Sequence, residues 1–485
     1  MPKVSRRESN AAKIRALVRP LLEWFSQNAR DLPWRRTQDP YAIWISEIML
    51  QQTQVKKVIP YWQHWMRELP TVQSLARARP EKVLKLWEGL GYYTRARNLQ
   101  TAARMIVARH GGHFPERFED VLALPGIGRY TAGAICSIAF NQPMPVLDGN
   151  VTRVLCRIFG MAGNPREQKT NARLWSLAGT LVRQAAALSP APSPLPSPSM
   201  GAGVQMHAKN RKGALHEPGG ARLRLSSGEQ GSTESRPTVH GPDARCKTVE
   251  AFHEPGRLRV TDPRSGPRLC EAQRFMVPVR DSGIVEATHE PSGEPACSRL
   301  NQALMELGAV ICTPRQPKCP VCPVRRNCVA FRENRTEELP NLGQRTASTK
   351  RRFVAFIVER KGRLLVRQVP GGVVNAGLWE FPNLEVHGRE PDVRRLAKSV
   401  FGSRPLVITP VQPVRHTITR FRITMDVYRT EFADRSPAAL PNGRWRSLAD
   451  LKKLALPSAH RKIWNALMTS EDNHGSSGKA HSRVA

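Results

Sequence analysis

The stretch Leu124-Pro125-Gly126-Ile127-Gly128-Arg129-Tyr130-Thr131-Ala132-Gly133 joins two helical patterns, 117–123 and 129–140, through a turn that contains two glycines. Gly126 and Gly128 allow the backbone to approach a phosphate closely, and the second helix offers free N–H groups at its positive end. A turn of this kind is also compatible with a simple helix cap followed by a loop. Within a strongly basic chain it favours binding to the DNA backbone without sequence specificity.

The charge of the chain supports a nucleic-acid partner. The 485 residues include 75 Lys and Arg against 40 Asp and Glu, a formal net charge of +35. A surface of this sign attracts polyanions, of which nucleic acid is the commonest. No apolar run reaches the roughly 18 residues of a membrane span, and the basic N-terminus lacks the apolar stretch of a secretory signal. We therefore expect a cytoplasmic protein without a membrane partner. We also expect a monomer, associated with the nucleoid if the source is bacterial.

Residues 11–187 are predicted to be entirely helical. Apolar residues recur at helical spacing from Ile14 to Phe25 and again from Ile45 to Trp62. Short turns with glycine or proline separate the later patterns. Helices are predicted at 11–28, 41–66, 71–78, 81–88, 95–110, 117–123, 129–140, 150–159 and 169–187.

The amino-acid composition changes at residues 188–299, which we interpret as a disordered insert. This segment holds 14 of the 40 prolines and lacks Trp and Tyr. Such a composition buries too little apolar surface to offset its ordering entropy. The triplet His-Glu-Pro recurs at 216, 253 and 289, but no apolar pattern recurs with it. We expect the start of the following helix, which bears Gln302, to be frayed.

Order returns at Leu300, and a second domain follows. Residues 300–330 complete the helical domain and include a cysteine loop at 312–328. Residues 331–350 have the composition of a linker. Segments rich in β-branched residues, such as RFVAFIVER and RFRITMDVYRTEF, alternate with helical patterns at 391–400 and 457–468. These patterns predict a separate α+β domain at 351–468, followed by a flexible tail at 469–485.

Four cysteines form a cluster, Cys312-x6-Cys319-x2-Cys322-x5-Cys328. Thiolates this close together can hold one compact metal centre, because zinc and iron–sulfur clusters both take cysteine ligands. The spacing of the cysteines alone does not distinguish a zinc site from an iron–sulfur cluster. The odd count of nine cysteines and the absence of an export signal favour a metal site over disulfides.

Two acidic residues are candidates for catalysis. Glu47 lies in the otherwise apolar stretch Trp44-Ile45-Ser46-Glu47-Ile48-Met49-Leu50, where burial would raise its pKa and suit a general acid. It could equally be a buried structural acid. Asp148 precedes the helix that starts at Gly149-Asn150. Capping of that helix is therefore an alternative explanation for Asp148 that requires no catalytic function.

Glutamines and tyrosines lie close to basic residues. Gln51 and Gln52 follow Leu50, and Tyr92 lies on the glycine turn Gly89-Leu90-Gly91 that precedes a basic helix. Glutamine amides can pair with base edges and a tyrosine ring can enter between bases. Ordinary packing explains the same residues equally well.

Taken together, several stretches resemble the adenine DNA glycosylases of the MutY type and, more broadly, the helix-hairpin-helix glycosylases that include endonuclease III. They are SEIMLQQTQV, EGLGYYTRARNLQ, LPGIGRYTAGAI, VLDGNVTRVL, NQALMELGAVICTPRQPKCPVCPV and GLWEFPN. The resemblance covers roughly residues 11–187 and 300–468. It implies two helical lobes around a DNA-binding cleft and a Nudix-like C-terminal domain that recognises 8-oxoguanine.

The resemblance also implies the cofactor and the reaction. The four cysteines would hold a 4Fe–4S cluster, and the enzyme would excise adenine mispaired with 8-oxoguanine or guanine in duplex DNA after flipping the adenine out. Glu47 would protonate the adenine ring, and Asp148 would stabilise the positive sugar. Arg35 and Gln302 would lie near the adenine, and Tyr130 and Asn150 at the mouth of the site. Gln52 and Tyr92 would contact 8-oxoguanine, with Leu50, Gln51, Gly126 and Gly128 in the same DNA-binding surface.

The insert at 188–299 is one departure from the family, whose members join the two flanking helices by a short connection. Two further features bear on the reaction that the resemblance implies. Lyases of the endonuclease III type carry a nucleophilic lysine where this chain has Tyr130, so we expect a monofunctional glycosylase without a Schiff base. The family's Phe-Ser-His loop corresponds to Ile418-Thr419-Arg420, which keeps a hydroxyl at Thr419 and loses the aromatic residue and the histidine. Two alternatives follow: a weaker preference for 8-oxoguanine, or recognition that uses Arg420.

Two alternatives remain at this stage. One is a glycosylase for a different base, such as thymine in a mismatch. The other is a protein that scans DNA for lesions without cutting, because the insert has inactivated it.

Overall fold

The computed structural model describes residues 6–188, 295–344, 347–388, 391–418, 420–433 and 440–475. Most of the predicted insert, residues 189–294, lies outside this range. So do Thr419 and residues 476–485 of the predicted tail.

Helices make up the first domain, and their bounds follow the periodicity of the apolar residues. In chain order they are α1 (Arg6–Asn28), α2 (Pro40–Leu50), α3 (Val55–Glu68), α4 (Val72–Arg77), α5 (Pro80–Leu86), α6 (Thr94–Arg109), α7 (Phe118–Leu122), α8 (Arg129–Phe140), α9 (Gly149–Ile158), α10 (Gln168–Ala186), α11 (Ala296–Val310) and α12 (Val329–Arg332). None of the described helices is long and apolar enough to cross a membrane.

These helices form two lobes, each with its own apolar core. The first core gathers buried side chains from α2 to α8, including Trp44, Trp65 and Trp87. The second core gathers side chains from α1, α9, α10 and α11. Helix α8 serves both cores, because Ala132 packs into the first and Ala134 into the second. The arrangement confirms the predicted two-lobed helical fold and brings the ends of α2, α8 and α9 together.

Helix α11 departs from the sequence expectation. It begins at Ala296, inside the segment predicted to be a disordered insert up to residue 299. Its first turn is buried and capped rather than frayed, because the Asn141 side chain accepts hydrogen bonds from the backbone N–H groups of Cys297 (3.0 Å) and Ser298 (3.2 Å). The cap comes from the end of α8, far away in sequence, so the local pattern could not indicate it.

The single helix predicted for residues 41–66 is also wrong. Helix α2 ends at Leu50 and α3 begins at Val55. Between them, Gln52 has a φ of 58°, in the left-handed region that ends helices. The apolar periodicity continues across the break, which is why the pattern concealed it.

The C-terminal domain is built on a mixed sheet. Its strands are β1 (Thr349–Arg360), β2 (Arg363–Gln368), β3 (Trp379–Glu380), β4 (Asn383–Val386), β5 (Val407–Ile418), β6 (Phe421–Glu431) and β7 (Gly443–Ser447), and its helices are α13 (Val393–Phe401), α14 (Leu448–Lys453) and α15 (Ser458–Gly475). β1 and β6 are parallel, and the other paired strands are antiparallel. Helix α14 was not predicted, and β1 starts within the predicted linker. The flexible tail predicted from residue 469 is wrong up to residue 475, because α15 continues to Gly475.

Both faces of strand β1 are buried, because its side chains alternate between two apolar cores. Val354 and Phe356 pack with Phe401 of α13, whereas Ala355 and Ile357 pack with Trp464 of α15. This is the packing expected of a strand in the middle of an α+β sandwich. It confirms the predicted α+β class of the domain.

The C-terminal domain packs directly on the first helical lobe. Leu378 and Ala455 join the core of that lobe. Glu88 accepts hydrogen bonds from the Leu456 backbone N–H (2.9 Å) and from the Arg461 Nε (2.8 Å). Tyr93 donates its hydroxyl to the Leu456 carbonyl at 3.2 Å. Glu88 and Tyr93 flank the glycine turn that carries Tyr92, so the C-terminal domain braces that turn.

Candidate active site

Glu47 lies on a helix that is buried on all sides. Asp39 caps α2 by accepting hydrogen bonds from the backbone N–H groups of Tyr41 and Ala42, and Pro40 occupies the first helical position. Every residue from Tyr41 to Met49 is buried. Glu47 itself is 6% exposed, and its Oε2 accepts a hydrogen bond from the Tyr130 hydroxyl at 2.7 Å.

The environment of Glu47 favours its protonated form. Burial raises the pKa of Glu47 to about 7, and the Asp148 carboxylate adds to the rise, whereas the Tyr130 hydroxyl and the Arg35 guanidinium oppose it. A carboxyl group with such a pKa carries a proton for a large fraction of the time at neutral pH, as a general acid must. Burial and the two nearby acids also raise the pKa of Tyr130 well above its usual range, so the phenol keeps its proton.

Asp148 is held in place by α9. It is the N-cap of this helix, and its Oδ1 accepts a hydrogen bond from the Val151 backbone N–H at 2.7 Å. Its Oδ2 accepts one from the Asn150 amide at 3.0 Å. Burial raises the pKa of Asp148, whereas these hydrogen bonds and the Arg153 charge lower it. Asp148 therefore does cap α9, as the sequence suggested. It also lies close enough to Glu47 to influence the pKa of that residue.

Asn150 connects Asp148 to the cysteine loop. Its Oδ1 accepts a hydrogen bond from Arg153 at 2.9 Å. The same guanidinium donates to the carbonyl oxygens of Gly308 (2.6 Å) and Cys312 (2.7 Å). A Cβ at Gly308 would lie only 2.6 Å from the Cβ of Asn150, so a glycine is needed where α11 crosses α9.

Arg35 is oriented by a carboxylate that sequence reasoning missed. Glu306 on α11 is 1% exposed and accepts a hydrogen bond from Arg35 at 2.9 Å. Its oxygens also bind the Arg30 guanidinium, with Nε at 2.5 Å. The Arg35 side chain lies 5.2 Å from the centroid of the Phe25 ring. Glu306 is the one charged residue in the helical stretch from Leu300 to Ile311, and this charge was the only local signal.

Further predicted contact residues lie on α11 and at the end of α2. Gln302 lies one turn before Glu306 and donates its amide to the Ser298 hydroxyl at 3.1 Å. Met305, on the same helix, places its sulfur 3.4 Å from the Tyr130 hydroxyl. Leu50 ends α2 half-buried, and the Gln51 amide lies 3.5 Å from the Thr131 hydroxyl.

Gln52 and Tyr92 both lie on exposed turns of the first lobe. Gln52 is exposed, and Tyr92 is 41% exposed with a φ of 45°. The turn before Tyr92 is closed by Trp87, whose indole N–H donates to the Gly91 carbonyl at 3.0 Å. Thr419, the remaining predicted contact, lies outside the described residues.

The two glycines of the α7–α8 turn differ in their surroundings. Gly126 has a φ of 79°, and a Cβ there would lie 2.6 Å from the Cβ of Asn98. Gly128 is the N-cap of α8, and a Cβ there would meet no atom within 4 Å. Gly126 is thus required by the close approach of α6, whereas Gly128 leaves open space at the N-terminus of α8.

The four clustered cysteines line one cavity between α9, α11 and the loop that follows. Within the described residues, no three potential ligands converge closely enough to hold a single metal ion. The thiols are nevertheless neighbours, because Cys312, Cys328 and Cys319 add to the burial that raises the pKa of Cys322 to about 12. The buried Arg157 guanidinium donates to the Cys312 sulfur at 3.4 Å. A donor set of four thiols in one cavity fits either an iron–sulfur cluster or a zinc ion.

Comparison with known families defines the class of this protein. Residues 45–179 match the HhH-GPD superfamily of base excision DNA repair proteins. Residues 353–466 match the NUDIX domain. The first match spans Glu47, Tyr130 and Asp148, so these three residues lie in the part of the chain that is similar to base excision repair proteins.

Relatives across most of the chain narrow this class to a family. The adenine DNA glycosylase of Rattus norvegicus is 30% identical over 94% of this chain and 78% of its own length. The adenine DNA glycosylase of Homo sapiens is 30% identical over 94% of this chain and 74% of its own length. A solved thermostable thymine-DNA glycosylase is 21% identical over 67% of this chain and 99% of its own, with a TM-score of 0.41. The chain belongs to the adenine DNA glycosylase family, whose members are base excision repair enzymes.

Proposed function

We propose that this enzyme hydrolyses the N-glycosidic bond of adenine mispaired with 8-oxoguanine or guanine in duplex DNA, after flipping the adenine into the pocket between the helical lobes. The observation that carries the proposal is the pair of acids, Glu47 with a raised pKa and Asp148 held by hydrogen-bond donors. Flipping a mispaired base costs a few kcal/mol, which contacts in the pocket offset.

The two carboxyl groups have different functions in this proposal. Glu47 donates its proton to a ring nitrogen of adenine, so that the base leaves with the bonding electron pair as a neutral molecule. The sugar is left with oxocarbenium character, and the Asp148 carboxylate stabilises that charge until water adds. The added water loses one proton, which returns to the Glu47 carboxylate. Tyr130 holds Glu47 through its hydroxyl and offers no amine for a Schiff base, so the enzyme acts as a monofunctional glycosylase.

Recognition of the base pair is assigned to groups around the pocket. We assign Arg35, which Glu306 orients, and Gln302 to the adenine, and we assign the exposed residues Gln52 and Tyr92 to the opposite base. The free N–H groups at the start of α8, next to Gly128, bind a DNA phosphate without reading sequence. The C-terminal domain contributes to recognition of 8-oxoguanine, with Thr419 and Arg420 as its contact residues.

The experiment that tests the proposal measures base release in a single turnover from three duplexes. We expect adenine to be released fastest opposite 8-oxoguanine, more slowly opposite guanine, and thymine opposite guanine not to be released. Release of thymine at a comparable rate would contradict the proposed base specificity. Binding without any release would instead indicate a protein that only scans DNA.

We further propose that Cys312, Cys319, Cys322 and Cys328 hold a 4Fe–4S cluster. When bound, the cluster would serve as a structural cross-link between α11 and the loop after it. Arg157, which is 2% exposed and donates to the Cys312 sulfur, would stabilise thiolate charge at that ligand.

Cys322→Ala should therefore lose most of the bound iron, since one of four ligands is removed. The purified wild-type protein should contain about four irons and four acid-labile sulfides per chain. Cys297→Ala is the matched control, because Cys297 is buried in the second core and does not line the cavity. Equal iron content in both variants, or zinc in place of iron, would contradict the cluster assignment.

A further inference from the structure

Arg95, in the first turn of α6, is a half-buried cation that links two separate segments. One nitrogen of its guanidinium donates to carbonyl oxygens at the end of α2: Ile48 (2.7 Å), Met49 (3.2 Å) and Gln51 (2.7 Å). The other donates to Leu90 (3.0 Å) and Gly91 (3.2 Å) in the glycine turn. One side chain therefore joins the end of the catalytic helix to the turn that carries Tyr92.

The partners of Arg95 are unusual for a half-buried arginine. Among the described residues no carboxylate forms an ion pair with it, and its neighbours are carbonyl dipoles and two aromatic rings. The guanidinium lies 5.1 Å from the Trp87 ring centroid and 5.7 Å from that of Tyr92. The carbonyls at the end of α2 form the negative end of that helix, where a cation is stabilised. The fork of donors in a guanidinium can serve both segments at once.

The two segments joined by Arg95 carry strained backbone. Gln52, directly after Gln51, has a φ of 58°, and Tyr92, directly after Gly91, has a φ of 45°. Residues with side chains seldom adopt this region, which costs of order 1–3 kcal/mol unless the surroundings impose it. In both segments the carbonyl of the preceding residue is bound by Arg95. The strain thus falls on the two residues assigned to the base opposite adenine.

We propose that Arg95 is a positioning residue for lesion recognition, which fixes Gln52 and Tyr92 relative to each other and to the helix that carries Glu47. The proposal rests on the proposed function of Gln52 and Tyr92. Arg95 touches neither base itself. Its contribution is to hold two contact residues from different segments at one fixed spacing, so that the pair can distinguish 8-oxoguanine from guanine.

The test compares Arg95→Met and Arg95→Lys with the wild-type enzyme on duplexes that pair adenine with 8-oxoguanine or with guanine. Single-turnover rates over a range of enzyme concentrations give a half-saturating concentration for each duplex. The relevant ratio is the half-saturating concentration for the guanine duplex divided by that for the 8-oxoguanine duplex. We expect this ratio to fall about tenfold in Arg95→Met, as for loss of hydrogen bonds to a charged group. Arg95→Lys, with a single ammonium, should retain an intermediate ratio.

A merely structural function would weaken binding of both duplexes equally and leave the ratio unchanged. Arg104→Met on the exposed face of the same helix is the matched control and should keep the wild-type ratio. An unchanged ratio in both Arg95 variants would overturn the positioning function of Arg95 alone. If Arg95→Met does not fold, Arg95→Lys decides. A wild-type enzyme that does not release adenine would instead overturn the proposed function.

Discussion

Glu47→Gln should abolish release of adenine while the protein still folds and binds duplex DNA. The glutamine has the same shape and can still accept the hydrogen bond from the Tyr130 hydroxyl, now 2.7 Å from Glu47. It has no acidic proton to give to the adenine ring, so the general-acid contribution is lost. Such contributions are typically 10²–10⁴-fold, and we expect the single-turnover rate to fall by about a thousandfold.

The matched control for this variant is Glu119→Gln, an identical change at an exposed position on α7. Its rate should equal that of the wild-type enzyme. Because Glu47 has a raised pKa, its replacement removes no favourable ion pair, and thermal stability should be preserved or increased. Near-normal turnover by Glu47→Gln would show that the proton comes from another group.

Asp148→Asn should cause the second large loss of activity. The change removes the negative charge that stabilises the positive sugar, and loss of one preorganised electrostatic contact commonly costs 10²–10³-fold in rate. Asparagine is as good an N-cap as aspartate, so its oxygen can keep the bond from the Val151 N–H. We therefore expect a rate lower by about two to three orders of magnitude in a folded protein.

Asp392→Asn separates the capping function from the catalytic one. Asp392 caps α13 through the Arg395 backbone N–H at 3.0 Å and is remote from the pocket in the C-terminal domain. This control variant should keep both its stability and its rate. If Asp148→Asn loses stability but keeps the rate per folded molecule, Asp148 is an N-cap and no more.

Much of the fold could be predicted from the sequence because it depends on local periodicity. The helical lobes follow the spacing of apolar residues, and β1 follows its β-branched run. The failures have a common cause in contacts between distant segments. The start of α11 depends on the Asn141 side chain, and the break after Leu50 coincides with the carbonyls that Arg95 binds. A single sequence does not display either contact.

In the candidate site, too, local features could be predicted from the sequence and contacts between distant segments could not. Glu47 stood out because a carboxylate in an apolar helix is a local anomaly, and Asp148 because it precedes a helix. Their mutual influence and the hydrogen bond from Tyr130 are tertiary features. Glu306 and Arg95 were missed, since neither the burial of Glu306 nor the partners of the two residues can be inferred from flanking residues. Their charge in a helical pattern was the only local signal.

The most direct test of the central claim is the pH dependence of single-turnover release of adenine opposite 8-oxoguanine. Glu47 must be protonated, and its pKa is raised to about 7, so the protonated fraction is complete well below that pH and is lost above it. The rate should be highest on the acidic side of about pH 7 and fall about tenfold for each further pH unit above it, with a decline at low pH as Asp148 takes up a proton. A rate that rises through pH 7 and continues to rise would contradict general-acid catalysis by Glu47.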